Sequence, residues 1–363
     1  MKLNKLMVAL FAGSALLVSC NNDDDTNNGP QGAYDNGILV LNEGGFGAGN
    51  ASVSFISDTL SLQNNIYAAN NGGAVLGDTG QDIGLHGQYA YIVLNASNKI
   101  EVVNRYTFAH VASIITGLVN PRYIAFEGGK AYVTNWGDGG VATDDYVAVI
   151  NLATNAVTTT IPVAEGPEAI IAENGKLYVA HKGGYGYGNK ITVINGEQNT
   201  VTTTITVGDV PGSLEVEGNK LYVLNEGLPS YVNQVDPLLN ETAGSLSVIN
   251  LNTNTIMGTV AFDGMVHPQN LNIEGDKIYC TVDSEIFSFS PGADLPAAPH
   301  AIFSTTPQGV YGVYAMEVNE GHIYVGDAGN YTAAGKVYIY SLTGTLENTF
   351  TVGVIPSGFY FNE

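Results

Sequence analysis

One position of a recurring phrase holds side chains that could hydrogen-bond around a common centre. It is occupied by Asn42, Asn95, Asn135, His181, Asn225, Val282 and Asp327, each just past a Tyr-Val type strand. Two chemistries fit. The amides could reach a shared ligand, or they could cap turns by bonding their own backbone. His181 and Asp327 depart from the prevailing asparagine and are the members most open to a ligand role. Glu43 and Glu226 follow this position in the first and fifth repeats. Paired carboxylates would suggest acid–base work, but in a ring of seven those loops stand too far across from one another. The six histidines show no ligand spacing such as His-x-x-x-His. His86 and His322 fall beside tight turns, whereas His181 and His267 could face a ligand, including one that carries a metal. No nucleophile elbow, phosphate loop or cysteine cluster occurs. The expectation is a binder and not an enzyme, with no catalytic residue and no metal of its own.

The second chemical resource is aromatic. Loops rich in Gly, Tyr, Asn and Asp begin at Gly44, Asn135, His181, Asn225 and Asp327, and they carry Phe46, Trp136 (the only tryptophan), Tyr185, Tyr187, Tyr231 and Tyr331. Tyr311 lies in a nearby connection. Aromatic rings give a large contact area at low entropic cost, and Asn and Gly adapt their hydrogen bonds to a partner. Any one ring could equally anchor its own loop. Arg122 and Gln269 each follow a proline that opens a strand, where they could contact a ligand rim or simply serve a turn.

The elements that must position these residues are repeats. PRYIAFEGGKAYVTNWG from Pro121 returns from Pro167, Pro211 and Pro268, with weaker copies from Gly80 and Val313. A phrase recurring roughly every 40 to 60 residues marks a repeat architecture. Each copy holds two β-prone runs around a tight polar turn, and a second hairpin follows, as in VAVINLATNAVTTTIPV from Val147. Four antiparallel strands, seven times, predict an all-β, seven-bladed β-propeller. The seventh copy is split: PSGFYFNE from Pro356 supplies its first half and GILVLNEG from Gly37 its second. Pairing of N- and C-terminal strands would therefore close the ring and hide two sheet edges. The phrase-internal turns (EGGK, ENGK, EGNK, EGDK) stay nearly constant, while the connections after the Tyr-Val strand vary in length, so the variable face is the expected binding face. Repeat six departs from this with an extra PGADLPAAP in the opposite turn. Tyr91, Tyr132, Tyr178, Tyr222, Tyr279 and Tyr324 sit where an inter-blade core belongs, and Cys280 reads as a small buried hydrophobe.

The organisation expected is a signal peptide over 1–19, a flexible acidic tether over 20–36 and the propeller over 37–363. The chain starts with two lysines, a short apolar run and then Leu17-Val18-Ser19-Cys20. That is a secretory signal, too short to span a bilayer. The tether is rich in Asn, Asp and Gly, a composition that stays disordered. Formal charge is −22, and cleavage before Cys20 would remove Lys2 and Lys5 and make it more negative by two. A surface of that sign repels nucleic acid and anionic head groups.

Several stretches resemble known families. Leu-Val-Ser-Cys resembles a bacterial lipobox, which implies lipidation at Cys20 as the membrane attachment. Asn21-Asn22-Asp23-Asp24-Asp25 resembles the tag that exports Bacteroidota lipoproteins to the outer face of the outer membrane. AYVTNWG, LYVAHKG and LYVLNEG resemble the Tyr-Val-Thr-Asn repeats of periplasmic and surface propellers. ILVLNEGGFGAGNASVSF, from Ile38, resembles the first blade of Bacteroidota surface lipoproteins that capture cobalamin (vitamin B12) for a TonB-dependent outer-membrane transporter. That resemblance implies a corrinoid ligand on one propeller face and a transporter partner. Two rivals remain: a surface module that adheres to a protein or glycan with no small-molecule ligand, and a lyase or lactonase holding an axial metal, for which Glu43, His181, Asp283 and Asp327 are the available side chains.

Overall fold

The computed structural model describes residues 31–363. The signal segment, Cys20 and most of the expected tether lie outside the described residues. Among the described residues no helix is long and apolar enough to cross a membrane. Seven four-stranded antiparallel sheets form the fold. The innermost strands are Gly80–His86, Pro121–Glu127, Pro167–Glu173, Pro211–Glu217, Gln269–Glu274, Ala315–Asn319 and Pro356–Asn362, each contacting the next around a closed ring. The last of them pairs antiparallel with Gly37–Asn42, so blade 1 is built from both ends of the chain as its split repeat requires.

Strand composition follows blade position. The second strand of a blade, such as Lys130–Asn135 (KAYVTN), is buried at every residue after its first. Blades pack on both of its faces, which selects a continuous apolar run over alternation. The outermost strand Ala156–Pro162 (AVTTTIP) is largely exposed and carries threonines, β-branched residues that tolerate water. The repeated tyrosines fill the inter-blade core, and Cys280 is fully buried beside them. The hydroxyls of Tyr91, Tyr132 and Tyr178 each reach an asparagine of the following blade: Asn155, Asn199 and Asn254. Those asparagines hold left-handed turn conformations (φ 49–54°), which their short polar side chain tolerates.

The packed domain starts before Gly37. Tyr34 is buried, stacks edge-on against Phe55 and Phe108, and accepts a hydrogen bond from Asn362 through its carbonyl. An aromatic side chain at the end of a polar run found an apolar niche between blades 1 and 2. The loops also contain short helices, Ile66–Asn70 and Val232–Val235, and one 3-10 turn at Thr306–Gln308, all too brief to register as periodicity.

Candidate functional site

The face on which the inner strands begin carries a polar mouth of about 680 Å³ on the propeller axis. Its floor is one repeat position. The residue after the opening proline, or its equivalent, is Gln81, Arg122, Glu168, Gly212, Gln269, Tyr314 and Ser357 around the seven blades, and all of them line the cavity. In several blades a local irregularity lies at or beside this position. Pairing of inner and second strands shifts register between Pro121 and Ile124, Pro167 and Ile170, Pro211 and Ser213, Gln269 and Asn272, and Gly80 and Asp82. A bulge breaks the pleat and re-aims the side chain within it, here toward the axis. Glycine stands at this position only in blade 5, where a Cβ would collide with the Glu226 carboxylate crossing above it.

Two ion pairs, Arg122 with Glu168 and Lys182 with Glu226, set most of the charge in the mouth, and Glu43 is a third carboxylate there. The Arg122 guanidinium donates to both carboxylate oxygens of Glu168, at 2.9 and 2.6 Å, joining blades 3 and 4. The same guanidinium stacks 4.3 Å above the Trp136 ring, and the indole Nε1 donates to the Pro167 carbonyl at 3.0 Å. Tyr185 meets Trp136 edge-on. A bidentate pair locked under a fixed ring is a preorganised wall. Burial pulls the Arg122 ionisation down, but Glu168 more than restores it, so the guanidinium stays charged. Lys182 follows the same logic: burial disfavours its charge, and Glu226 at 2.7 Å and Glu168 reverse that. Gln269 donates to the other Glu226 oxygen at 3.3 Å. Across the mouth, Glu43 accepts from the Tyr314 hydroxyl at 2.5 Å. Burial raises the Glu43 carboxyl above its ordinary value, opposed by Tyr314 and by Arg122. Tyr314 packs edge-on against Tyr331, which holds a left-handed backbone (φ 63°).

Of the residues singled out from the sequence, Glu43, Phe46, Asn95, Arg122, Trp136, Tyr185, Gln269 and Tyr331 line this cavity. Asn42, Asn135 and Asn225 do not. They are fully buried one residue short of the mouth and donate to neighbouring backbone or serine oxygens, Asn42 to Val40 and Ser54, Asn135 to Val133, and Asn225 to Ser245 and Ser247. Strand alternation turns these amides into the sheet and the next side chain outward: Glu43, Trp136, Lys182 and Glu226 are those next residues. His181 is likewise buried, between the Glu165 carbonyl (3.2 Å) and the Thr192 hydroxyl (2.8 Å). Burial lowers its pKa to about 4, against the raising effect of backbone carbonyls, so it stays neutral at ordinary pH. His267 sits against the Glu226 carbonyl and Glu241, outside the cavity. Tyr187 packs beside the small cluster of Val210, Leu228 and Val232, Asp327 caps its own turn at Gly329, and Tyr231 and Tyr311 are exposed farther out on the same face. The sequence reading missed Gln81, Tyr123, Glu168, Lys182, Glu226 as a pairing partner, and Tyr314. Carrying the Arg122–Gln269 position through every repeat would have found three of these six.

Below the mouth the axis continues as a channel of about 370 Å³. Glu215, Asn272, Glu317 and Tyr360 stand at one level of it on blades 5, 6, 7 and 1. Burial raises Glu215 to about 7, and burial together with Glu215 raises Glu317 well above its ordinary range. Among the described residues no group of three or more His, Cys, Asp or Glu is placed to hold a metal ion. The mouth thus presents flat aromatic faces, amides, hydroxyls, two ion pairs and the Glu43 carboxylate.

Residues 36–361 match the family model described as "Domain of unknown function (DUF5074)", and the chain belongs to that family. No curated protein matches it. Similar solved structures include Kuenenia stuttgartiensis hydrazine synthase (TM-score 0.60, 17% identity, 75% of this chain and 85% of that one). The computationally designed Ika8 protein is similar at TM-score 0.56 and 10% identity over 90% of both chains. BamB from Moraxella catarrhalis is similar at TM-score 0.51 and 15% identity, over 90% of this chain and 88% of that one. At these identities the likeness is one of fold alone.

Proposed function

We propose that this propeller is a capture protein, not an enzyme, whose mouth holds one bulky polar ligand, and that the ligand is cobalamin. The observation that carries the reading is the preorganised mouth. Arg122 and Lys182 are already paired with Glu168 and Glu226, Glu43 is held by the Tyr314 hydroxyl, Trp136 is fixed by Arg122 and the Pro167 carbonyl, and Phe46 and Tyr331 stand exposed at the rim. A lining that needs no rearrangement spends little free energy on binding. Flat rings and amide groups suit a broad macrocycle fringed with amides. The first-blade resemblance singles out cobalamin among such ligands. It also supports a place on the outer membrane through Cys20, with delivery to a TonB-dependent transporter.

A second reading, adhesion to a protein or glycan, draws on exposed Ile115, Leu238 and Met265 farther out on the same face. Calorimetric titration with cyanocobalamin separates the two. One-to-one binding that weakens at least about tenfold in Trp136→Ala supports capture. Absence of heat and of any thermal shift at millimolar ligand overturns it and leaves adhesion in front.

A further inference from the structure

On the opposite face, successive blades are latched by a repeated contact. In blade 3 the Tyr132 hydroxyl and Lys130 Nζ both reach the Gly196 carbonyl and Asn199 of blade 4. Tyr178 and Lys176 do the same toward Asn254 of blade 5, and Lys220 alone reaches the blade 6 loop. At the seam between blades 7 and 1 each part of the latch changes. His322 stands where the lysine belongs and turns back to Glu347 of its own blade, 3.2 Å away. The facing turn has Leu60 at its left-handed position (φ 61°), where the latched blades have asparagine. Tyr324 keeps its place with its ring buried, and its hydroxyl, like that of Tyr222, has no hydrogen-bond partner among the described residues and opens onto a cleft. This cleft of about 820 Å³ lies at the seam, and smaller ones of about 690 and 520 Å³ lie at the blade 6–7 and blade 3–4 seams.

The cleft has a defined chemistry. Ile38, Ile339 and Phe361 give it an apolar floor beside Tyr324, whose ring meets Phe361 edge-on at 5.3 Å. Asp58, Glu320 and Glu347 stand on its rim, and no lysine or arginine lines it. Arg105, the nearby base, is occupied by the Asn362 side chain and the Glu363 carbonyl. The Tyr324 hydroxyl opens onto the cleft and is free to meet a ligand. Here it stands among carboxylates and aromatic faces, which attract the same kind of head group.

The geometry points to a second binding site in this seam cleft, for an organic cation: an ammonium or guanidinium carried on an apolar stem. The head group lies between the Tyr324 hydroxyl and the Glu320–Glu347 rim, and the stem lies on Ile38 and Phe361. The site is independent of the mouth and of any ligand there. The same chemistry occurs in a free amine and in an arginine side chain of a peptide. Titrations of the purified protein at low ionic strength therefore use agmatine in one arm and an acetylated, amidated Leu-Arg-Leu peptide in the other. Saturable one-to-one binding is expected in at least one arm, and the tighter arm identifies the source. Tyr324→Phe, which removes only the hydroxyl, should weaken binding about threefold to tenfold. Glu320→Gln with Glu347→Gln, both at exposed positions where folding is safe, should weaken it at least about tenfold. Asp263→Asn with Glu197→Gln, two exposed acids elsewhere, should leave it unchanged. Binding in neither arm overturns the site. So does binding that both acid pairs reduce equally, because that is attraction to an acidic surface and not to this cleft.

Discussion

Blades 3 and 4 meet twice, and the two meetings differ in kind. On the turn face Tyr132 and Lys130 converge on Asn199, a contact that blade 4 repeats onto blade 5 through Tyr178, Lys176 and Asn254. On the mouth face Arg122 meets Glu168 and stacks on Trp136, and the same positions in other blades carry Gln81, Gly212, Gln269, Tyr314 and Ser357. A contact that recurs answers a need every blade shares, which is to stay closed on its neighbour. A contact that occurs once answers a need of the whole ring, which is to present one asymmetric surface at its centre. Stability should therefore follow the first set and recognition the second.

The largest effect expected is on the turn face. Tyr132 is fully buried and bonded across the blade junction. Tyr132→Ala leaves a large cavity and removes one of the two donors to Asn199, and should cost about 3–5 kcal/mol, read by chemical denaturation with Trp136 fluorescence as the probe. Tyr132→Phe should cost only about 1 kcal/mol, the share of the hydroxyl. Equal losses from both variants would mean that packing at the junction matters less than the asparagine latch.

Next in size is Arg122→Lys. A lysine keeps the charge but cannot form the two-point bond to Glu168 or lie flat on Trp136. A stability loss of about 1–2 kcal/mol is expected, with a larger proportional loss of affinity for the mouth ligand. Should the variant bind as wild type, the paired wall is scaffolding and the recognition surface lies at the rim.

The axial channel gives a pH test that neither face dominates. Glu215 and Glu317 hold their protons more tightly folded than unfolded, because burial disfavours the charged form of each and the Glu215 carboxylate further disfavours that of Glu317. The stability that Glu215 confers is fully present below the ordinary glutamate value of 4.5 and is lost as pH rises through about 7. Glu215→Gln should raise the melting temperature at pH 8 and leave it unchanged at pH 4. His181 works in the opposite sense. Its folded value near 4 lies below its ordinary 6.5, so its contribution is present above 6.5 and lost as pH falls through 4. A flat melting profile for Glu215→Gln against wild type between pH 4 and 8 would place the carboxylates in contact with water.

Much of this arrangement is legible in the residues. Gly and Asn turns, Tyr-Val strands and the split between Pro356 and Gly37 suffice for the fold, because repetition amplifies a weak local signal seven times. The mouth was legible by face but not by residue. Asn42, Asn135 and Asn225 drew attention through recurrence, yet recurrence marks the shared structural task, and those amides are buried in the sheet. The residues that reach the cavity vary from blade to blade, as Glu168 and Lys182 do, and their partners lie 44–46 residues away in sequence. Which carboxylate meets which base depends on where bulges turn the inner strands, and a single chain does not write that in its pattern. Tyr34 was missed for a related reason, since its niche is made by blades formed far along the chain.

The smallest stability effect is also the sharpest test of the two-face comparison. Phe46 projects from a glycine-rich loop with 84% of its surface exposed, yet it lines the mouth. It packs on little of its own blade, so Phe46→Ala should change folding stability by no more than about 0.5 kcal/mol. If the mouth holds a broad flat ligand, the lost ring should still weaken binding by about 1–2 kcal/mol, roughly fivefold to thirtyfold in dissociation constant. A variant unchanged in both respects would confine recognition to the floor of Arg122, Glu168 and Tyr314. A variant that loses stability instead would make this loop a structural clamp and erase the distinction between the faces at blade 1.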